Sequence, residues 1–173
     1  MIDWKRELTI ATYVKATLMD ADKEGLWPQS LPEIAASEDQ LAAVEAHLRY
    51  RLGEQYRSFL AHANGWRAFL QTIDLFGTPE LMGGDAMLSA LEFLSDSEDV
   101  LRLNQCPSQE SLLPIAFSAE SSDLFVMGGP SSHAPGTIWW LGAELIDTFD
   151  CFHDFFLAMV DYNRHLLQDL QHE

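Results

Sequence analysis

Ser37-Glu38-Asp39-Gln40-Leu41-Ala42-Ala43-Val44-Glu45-Ala46-His47-Leu48 and, past a break at Gly53, Tyr56-Arg57-Ser58-Phe59-Leu60-Ala61-His62-Ala63-Asn64-Gly65 carry the clearest structural instructions in this chain. Ser37 followed by Gln40 forms a capping box. The serine hydroxyl accepts from the Gln40 N–H while the glutamine amide reaches back to the Ser37 N–H. Leu41, Val44 and Leu48 then recur at helical spacing, as do Tyr56, Phe59, Leu60 and Ala63. Two short amphipathic helices are therefore expected. Asn64-Gly65 suits the left-handed residue that stops the second, because neither residue loses much at positive φ.

Working outward, Trp4, Leu8, Ala11, Val14 and Leu18 lie on one helical stripe and predict an N-terminal helix over residues 3–20. Pro28 and Pro32 keep the segment that follows out of a helix interior. Residues 69–76 read as β, ended by Gly77-Thr78-Pro79. Residues 85–94 return to helix, with Leu88, Leu91, Phe93 and Leu94 as its apolar set, and Ser97 is placed to cap a further turn through Leu103. Residues 112–117, 123–127 and 137–141 are strand candidates bounded by Ser, Gly and Pro. A closing helix is patterned by Phe152, Phe155, Phe156, Met159 and Leu166, with Asp150 as its expected N-cap.

The order of these pieces resembles the SUKH superfamily, which holds bacterial toxin-immunity proteins and fungal glucan-synthesis regulators of the Smi–Knr type. The resemblance rests on Leu52-Gly53-Glu54-Gln55-Tyr56-Arg57-Ser58-Phe59-Leu60 followed by Asn64-Gly65. Leu75-Phe76-Gly77 continues it as a strand exit, and Leu113-Pro114-Ile115-Ala116 with Asp123-Leu124-Phe125-Val126 as a central hairpin. Thr137-Ile138-Trp139-Trp140 follows as a strand, and residues 149–157 as the start of the closing helix. It covers roughly residues 34–160, with Gly53 standing where the family usually has proline. The resemblance implies an α+β domain, a twisted, mainly antiparallel sheet with helices packed against it, over residues 33–173. Residues 1–32 would form an N-terminal helical arm with a Pro-containing linker, either packed on the domain or serving as a dimer arm.

Charge narrows the choice of partner. The 173-residue chain carries 10 Lys and Arg against 27 Asp and Glu, a net −17, and 47% of its residues are hydrophobic. The acidity is one-sided. Through Arg67, eight basic residues face ten acidic ones, whereas from Ala68 onward only Arg102 and Arg164 face seventeen. Such a surface repels nucleic-acid phosphates and anionic membranes and attracts basic proteins, unless its acidity serves solubility alone. No apolar run approaches the roughly 20 residues of a membrane helix, and residues 1–5 lack the basic-then-apolar order of a signal peptide. Cys106 and Cys151 show no metal or redox spacing, so reduced thiols and a cytoplasmic setting are expected.

Catalytic readings find little purchase. Residues 128–136 gather Gly, Ser and His but have neither a Gly-x-Ser-x-Gly elbow nor a Lys-Ser phosphate cradle, and they read as a surface loop. None of the six histidines pairs at i, i+4 on one helix, so no metal or cofactor is expected. By resemblance the expected function is non-catalytic: an immunity protein neutralising a cognate basic toxin domain, often a nuclease in this family. A scaffold with several housekeeping partners stands as the alternative. The carboxylates expected to meet a basic partner are Glu92, Asp96, Glu98, Asp99, Asp147, Asp150 and Asp154. Trp66 and Trp140 are the candidate aromatic anchors, since adjacent strand residues such as Trp139 and Trp140 point to opposite faces, with packing in the core or over a sheet face as the other reading.

Overall fold

The computed structural model describes residues 1–172. Helix α1 (Trp4–Ala21) leads through an extended segment to α2 (Glu38–Leu48) and α3 (Glu54–Leu60), the two short helices expected around Gly53. Both arms of the capping box form, with Ser37 N–H donating to Gln40 Oε1 at 2.9 Å and Gln40 N–H to Ser37 Oγ at 3.2 Å. Strands β1 (Trp66–Leu70) and β2 (Ile73–Leu75) follow, then α4 (Thr78–Leu81), α5 (Asp85–Asp96) and α6 (Glu98–Leu103). Strands β3 (Leu112–Ser118), β4 (Asp123–Gly128), β5 (Ile138–Leu141) and β6 (Leu145–Phe149) precede the long helix α7 (Phe152–His172).

The six strands form one antiparallel sheet in the order of the chain, β1-β2-β3-β4-β5-β6. Each strand therefore pairs with its sequence neighbour, and β1 and β6 are the edges. Residues 69–76 are not one strand. They turn at Gln71, whose φ is +52°, and this splits the run into a hairpin. Strand β6 carries no apolar alternation that would mark it in the sequence, since Ile146, Asp147 and Thr148 are all exposed.

Helices cover the sheet on both sides. Cross-strand partners share a face, and the central pairs are Ala116 with Phe125 and Phe117 with Leu124. Phe125 meets Phe155 of α7 at 5.0 Å between ring centroids, whereas Phe117 meets Phe93 of α5 at 5.9 Å. Thus α7 packs on one face and α5 on the other. Every residue of β3 and β5 is buried as a result.

The α7 layer includes α1. Trp4, 1% exposed, lies edge-on to Phe59 at 5.4 Å and to Phe156 at 5.3 Å, joining α1, α3 and α7 in one aromatic cluster. Such pairs contribute about 0.5–1.5 kcal/mol each beyond their burial. The N-terminal helix accordingly packs on its own domain. The linker is pinned as well. Asp22 accepts from the N–H groups of Leu26 and Trp27, and Ser30 O accepts from the Trp66 indole at 2.9 Å.

Strand β1 is irregular between its two paired ends, and Ala68 sits at φ +50°. The backbone groups of this stretch are met by side chains. Lys15 Nζ donates to Ala68 O at 2.7 Å, Asn163 Nδ2 to Phe69 O at 2.8 Å, and Ala68 N–H to Asp74 Oδ1 at 2.7 Å. A buried carbonyl left without a donor costs about 1–3 kcal/mol, so the bulge persists because side chains of α1, β2 and α7 satisfy it.

Asn64-Gly65 does not end α3, which stops at Leu60. It marks a close crossing instead. Gly65 has φ +90°, and a Cβ there would lie 2.7 Å from Gly77 N and 2.8 Å from Leu75 O. Only glycine admits both the conformation and the approach. Helix α7 begins at Phe152, so Asp150 stands one residue outside the cap position expected for it.

Candidate functional site

The motif that carries the family resemblance serves the core. Tyr56, Phe59 and Leu60 are wholly buried on one side of α3, and the Tyr56 hydroxyl donates to Phe76 O at 2.7 Å. Burial holds that phenol well above its ordinary pKa. Arg57, on the opposite side, brackets α2 and α3 by donating to Glu38 at 2.8 Å and Glu45 at 3.1 Å. These residues place the helices against the sheet.

The two tryptophans expected as anchors are core residues. Trp66 is 0% exposed, tilted against Phe69 at 5.2 Å. Trp140 is 8% exposed, stacks on Phe125 at 4.8 Å, and its indole N–H donates to Asp123 Oδ1 at 2.7 Å. Because helices cover both faces of the sheet, even adjacent strand residues that point opposite ways, such as Trp139 and Trp140, are both enclosed. Neither Trp66 nor Trp140 offers surface to a partner.

All seven expected carboxylates are exposed, but they do not form one patch. Glu92 and Asp96 lie on α5, with Glu98 and Asp99 on α6, in the layer over Phe117. Asp147 is the cross-strand partner of Trp140 on β6, so it belongs to the α7 side, and Asp150 and Asp154 follow at the β6–α7 corner. The sheet stands between the two groups. Strand alternation, invisible to a count of acids along the chain, divides them.

The α5–α6 group has the stronger surroundings. Helix α5 buries Met87, Ala90 and Leu94, spaced i, i+3, i+7, and not the expected set led by Leu88 and Leu91. Leu88 is 64% exposed and Leu91 44%, adjacent on the outer face at i, i+3, and Leu103 at the end of α6 is 79% exposed. Beside the two leucines of α5 runs a stripe of Asp85, Ser89, Glu92 and Asp96, at i, i+4, i+7 and i+11. Arg102, the one cation of α6, is taken up by Asp99 at 2.6 Å, so Glu92, Asp96 and Glu98 are uncompensated by it. The exposed leucines and the carboxylates beside them make one amphipathic face.

That stripe leads into a hollow the sequence did not disclose. One cleft of about 380 Å³ lies between the linker, the start of β1, β2 and α4. A second of about 320 Å³ lies between β2, the N-terminal end of α5 and the β3–β4 turn. Asp74, Phe76 and Ala86 wall both, so the groove is two adjoining clefts that share these side chains. Its carboxylates are Glu33, Asp74, Glu80, Asp85 and Glu120, against one cation, Arg67. They come from five separate segments, and only the 85–89–92–96 spacing on α5 hinted at any of them.

Other arrangements can be described briefly. In the loop after β4, Ser132 Oγ accepts from Ala134 N–H, a turn contact, and His133 is exposed. Among the described residues no three His, Cys, Asp or Glu side chains gather as a metal site requires, and no helix is long and apolar enough to cross a membrane.

A six-stranded antiparallel meander covered by helices on both faces, with a Tyr-x-x-Phe-Leu helix feeding an Asn-Gly crossing, defines an α+β domain of the class the sequence resembled. The family model of the SMI1 / KNR4 family (SUKH-1) matches residues 35–158, and the chain belongs to that family. Helix α1 and the end of α7 lie outside the matched span. No curated protein matches the chain.

Proposed function

We propose that the protein is a non-catalytic binding domain of the immunity type, which captures a basic protein, a toxin domain, on the face formed by α5 and α6. The observation that carries this reading is the pairing of Leu88 and Leu91, both exposed beside Glu92 and Asp96, on a helix whose packing needs are already met by Met87, Ala90 and Leu94. A cation-rich protein surface, such as one that grips phosphates, is attracted by the carboxylates, and the desolvated leucines then supply affinity. Family membership supports an immunity role or a regulatory one. The acidic, apolar face favours the former, since charge steers a basic protein into fast association and exposed leucines can then hold it.

The test is co-purification with the product of the adjacent gene, followed by association kinetics across ionic strength. One tight complex whose on-rate falls steeply with salt is the expected result. Failure to bind or rescue any neighbouring toxin, or several salt-insensitive partners of modest affinity, would turn the assignment toward a scaffold.

A further inference from the structure

The groove that joins the linker to the N-terminal end of α5 has features the α5–α6 face lacks. Two of its carboxylates are held in place. Asp74 is fixed by Ala68 N–H at 2.7 Å through Oδ1, and Glu80 by Gly77 N–H at 2.9 Å through Oε2. Each is half-buried, and each keeps its second oxygen without a hydrogen bond among the described residues. Held carboxylates lose little entropy on meeting a cation, and partial burial strengthens the attraction over that of a fully solvated acid. Asp85 and Glu120 extend the negative lining toward α5 and the β3–β4 turn. At the opposite end stands Ile34, 91% exposed, an apolar side chain with no packing role of its own.

We propose that this groove receives an extended segment of the partner protein carrying Lys or Arg side chains, with an apolar residue against Ile34. The occupant is argued from charge complementarity: five carboxylates and one cation line two adjoining clefts whose walls run from the linker to the start of α5 and the β3–β4 turn. An extended chain places its side chains alternately along such a cleft, so basic residues at every second position would face the carboxylates. The exposed Arg67 at the rim opposes the incoming cations and lowers affinity for a purely basic segment. The groove's carboxylates continue into the Asp85–Glu92–Asp96 stripe, so one partner can span both surfaces. In that sense the inference rests on the functional reading above.

The probe is a short fluorescein-labelled peptide of Arg, Lys, Ala and Leu, titrated into the full-length protein at low ionic strength with anisotropy as the readout. The groove variant carries Asp74→Asn, Glu80→Gln, Asp85→Asn and Glu120→Gln, which keep the acceptors for the Ala68 and Gly77 N–H groups. The matched control removes the same charge far away, through Glu7→Gln, Glu24→Gln, Asp154→Asn and Asp161→Asn, and circular dichroism checks that both fold. The groove variant should weaken the peptide about tenfold and the control less than about twofold. Arg67→Ser should tighten it. Equal loss from both variants, or loss from neither, would overturn the groove. A third variant, Leu88→Ser with Leu91→Ser, separates this result from the functional reading. It should keep the peptide while losing the whole partner, so failure of the adjacent gene product to bind sinks that reading and leaves the peptide titration to judge the groove.

Discussion

Asn64 and Thr78 clasp each other through two hydrogen bonds of 2.7 Å: Thr78 N–H donates to Asn64 Oδ1, and Asn64 Nδ2 donates to the Thr78 hydroxyl. The clasp ties the start of β1 to the first residue of α4 and holds shut the crossing where Gly65 and Gly77 touch. A Cβ on Gly77 would fall 2.1 Å from Asn64 O, so the contact tolerates no side chain. Asn64→Ala should cost about 1–3 kcal/mol in urea or thermal unfolding, because it strands the Thr78 N–H and hydroxyl at a largely enclosed site. Gly77→Ala should cost more, about 3 kcal/mol or above, since backbone must move to relieve the clash. Equal, small losses from both would show that the crossing is not tightly held.

Lys15 sets a pH dependence. It is buried, its ammonium has a carbonyl and no carboxylate as partner, and burial lowers its pKa from 10.5 to about 8. Below pH 8 the ammonium is charged in both folded and unfolded chains, and the desolvation cost is fully present. Between about 8 and 10.5 the unfolded chain holds more protons, so stability rises with pH across that window. The gain is on the order of 2–3 kcal/mol. Unfolding free energies of the protein and of Lys15→Met, compared from pH 7 to 10.5, should diverge in the protein's favour as pH rises. Parallel curves would show that the ammonium is solvated.

Surface and core leucines of α5 should behave oppositely. Leu88→Ser with Leu91→Ser should change stability by no more than about 0.5 kcal/mol per site, because both side chains already meet water. The same pair should weaken the partner complex at least about tenfold, as expected of central apolar contacts. Leu94→Ala, at a site 1% exposed, should instead cost about 2–5 kcal/mol of stability. Binding by calorimetry and unfolding by denaturant measure the two effects separately.

The tryptophans give a complementary check. Trp140→Phe removes the indole donor from Asp123 and should cost about 1–3 kcal/mol of stability, with no change in partner affinity once the protein is folded. A large affinity loss at unchanged stability would return Trp140 to the interface.

Local rules settled much of this molecule. The Ser37–Gln40 capping box, the Trp4–Leu18 stripe and the Tyr56–Phe59–Leu60 motif were legible because each depends on residues within a turn or two of one another. The hairpin of residues 112–127 and the strand ending at Leu141 were bounded by their own Ser, Gly and Pro residues. Strand β6 escaped because an exposed edge carries no apolar alternation. The β1–β2 hairpin escaped because its turn rests on Gln71 at positive φ, not on glycine.

The acidity belonged to the composition of the chain. Which carboxylates stand together did not, because alternate strand residues point to opposite faces and separate helices cover those faces. Tertiary packing sent Asp147, Asp150 and Asp154 to one side of the sheet and Glu92, Asp96 and Glu98 to the other. It enclosed Trp66 and Trp140, left Leu88 and Leu91 in water, and assembled a groove from Glu33, Asp74, Glu80, Asp85 and Glu120. Periodicity reports which residues a helix or strand presents together. Only the docking of one element on another decides whether that face meets the core or the solvent.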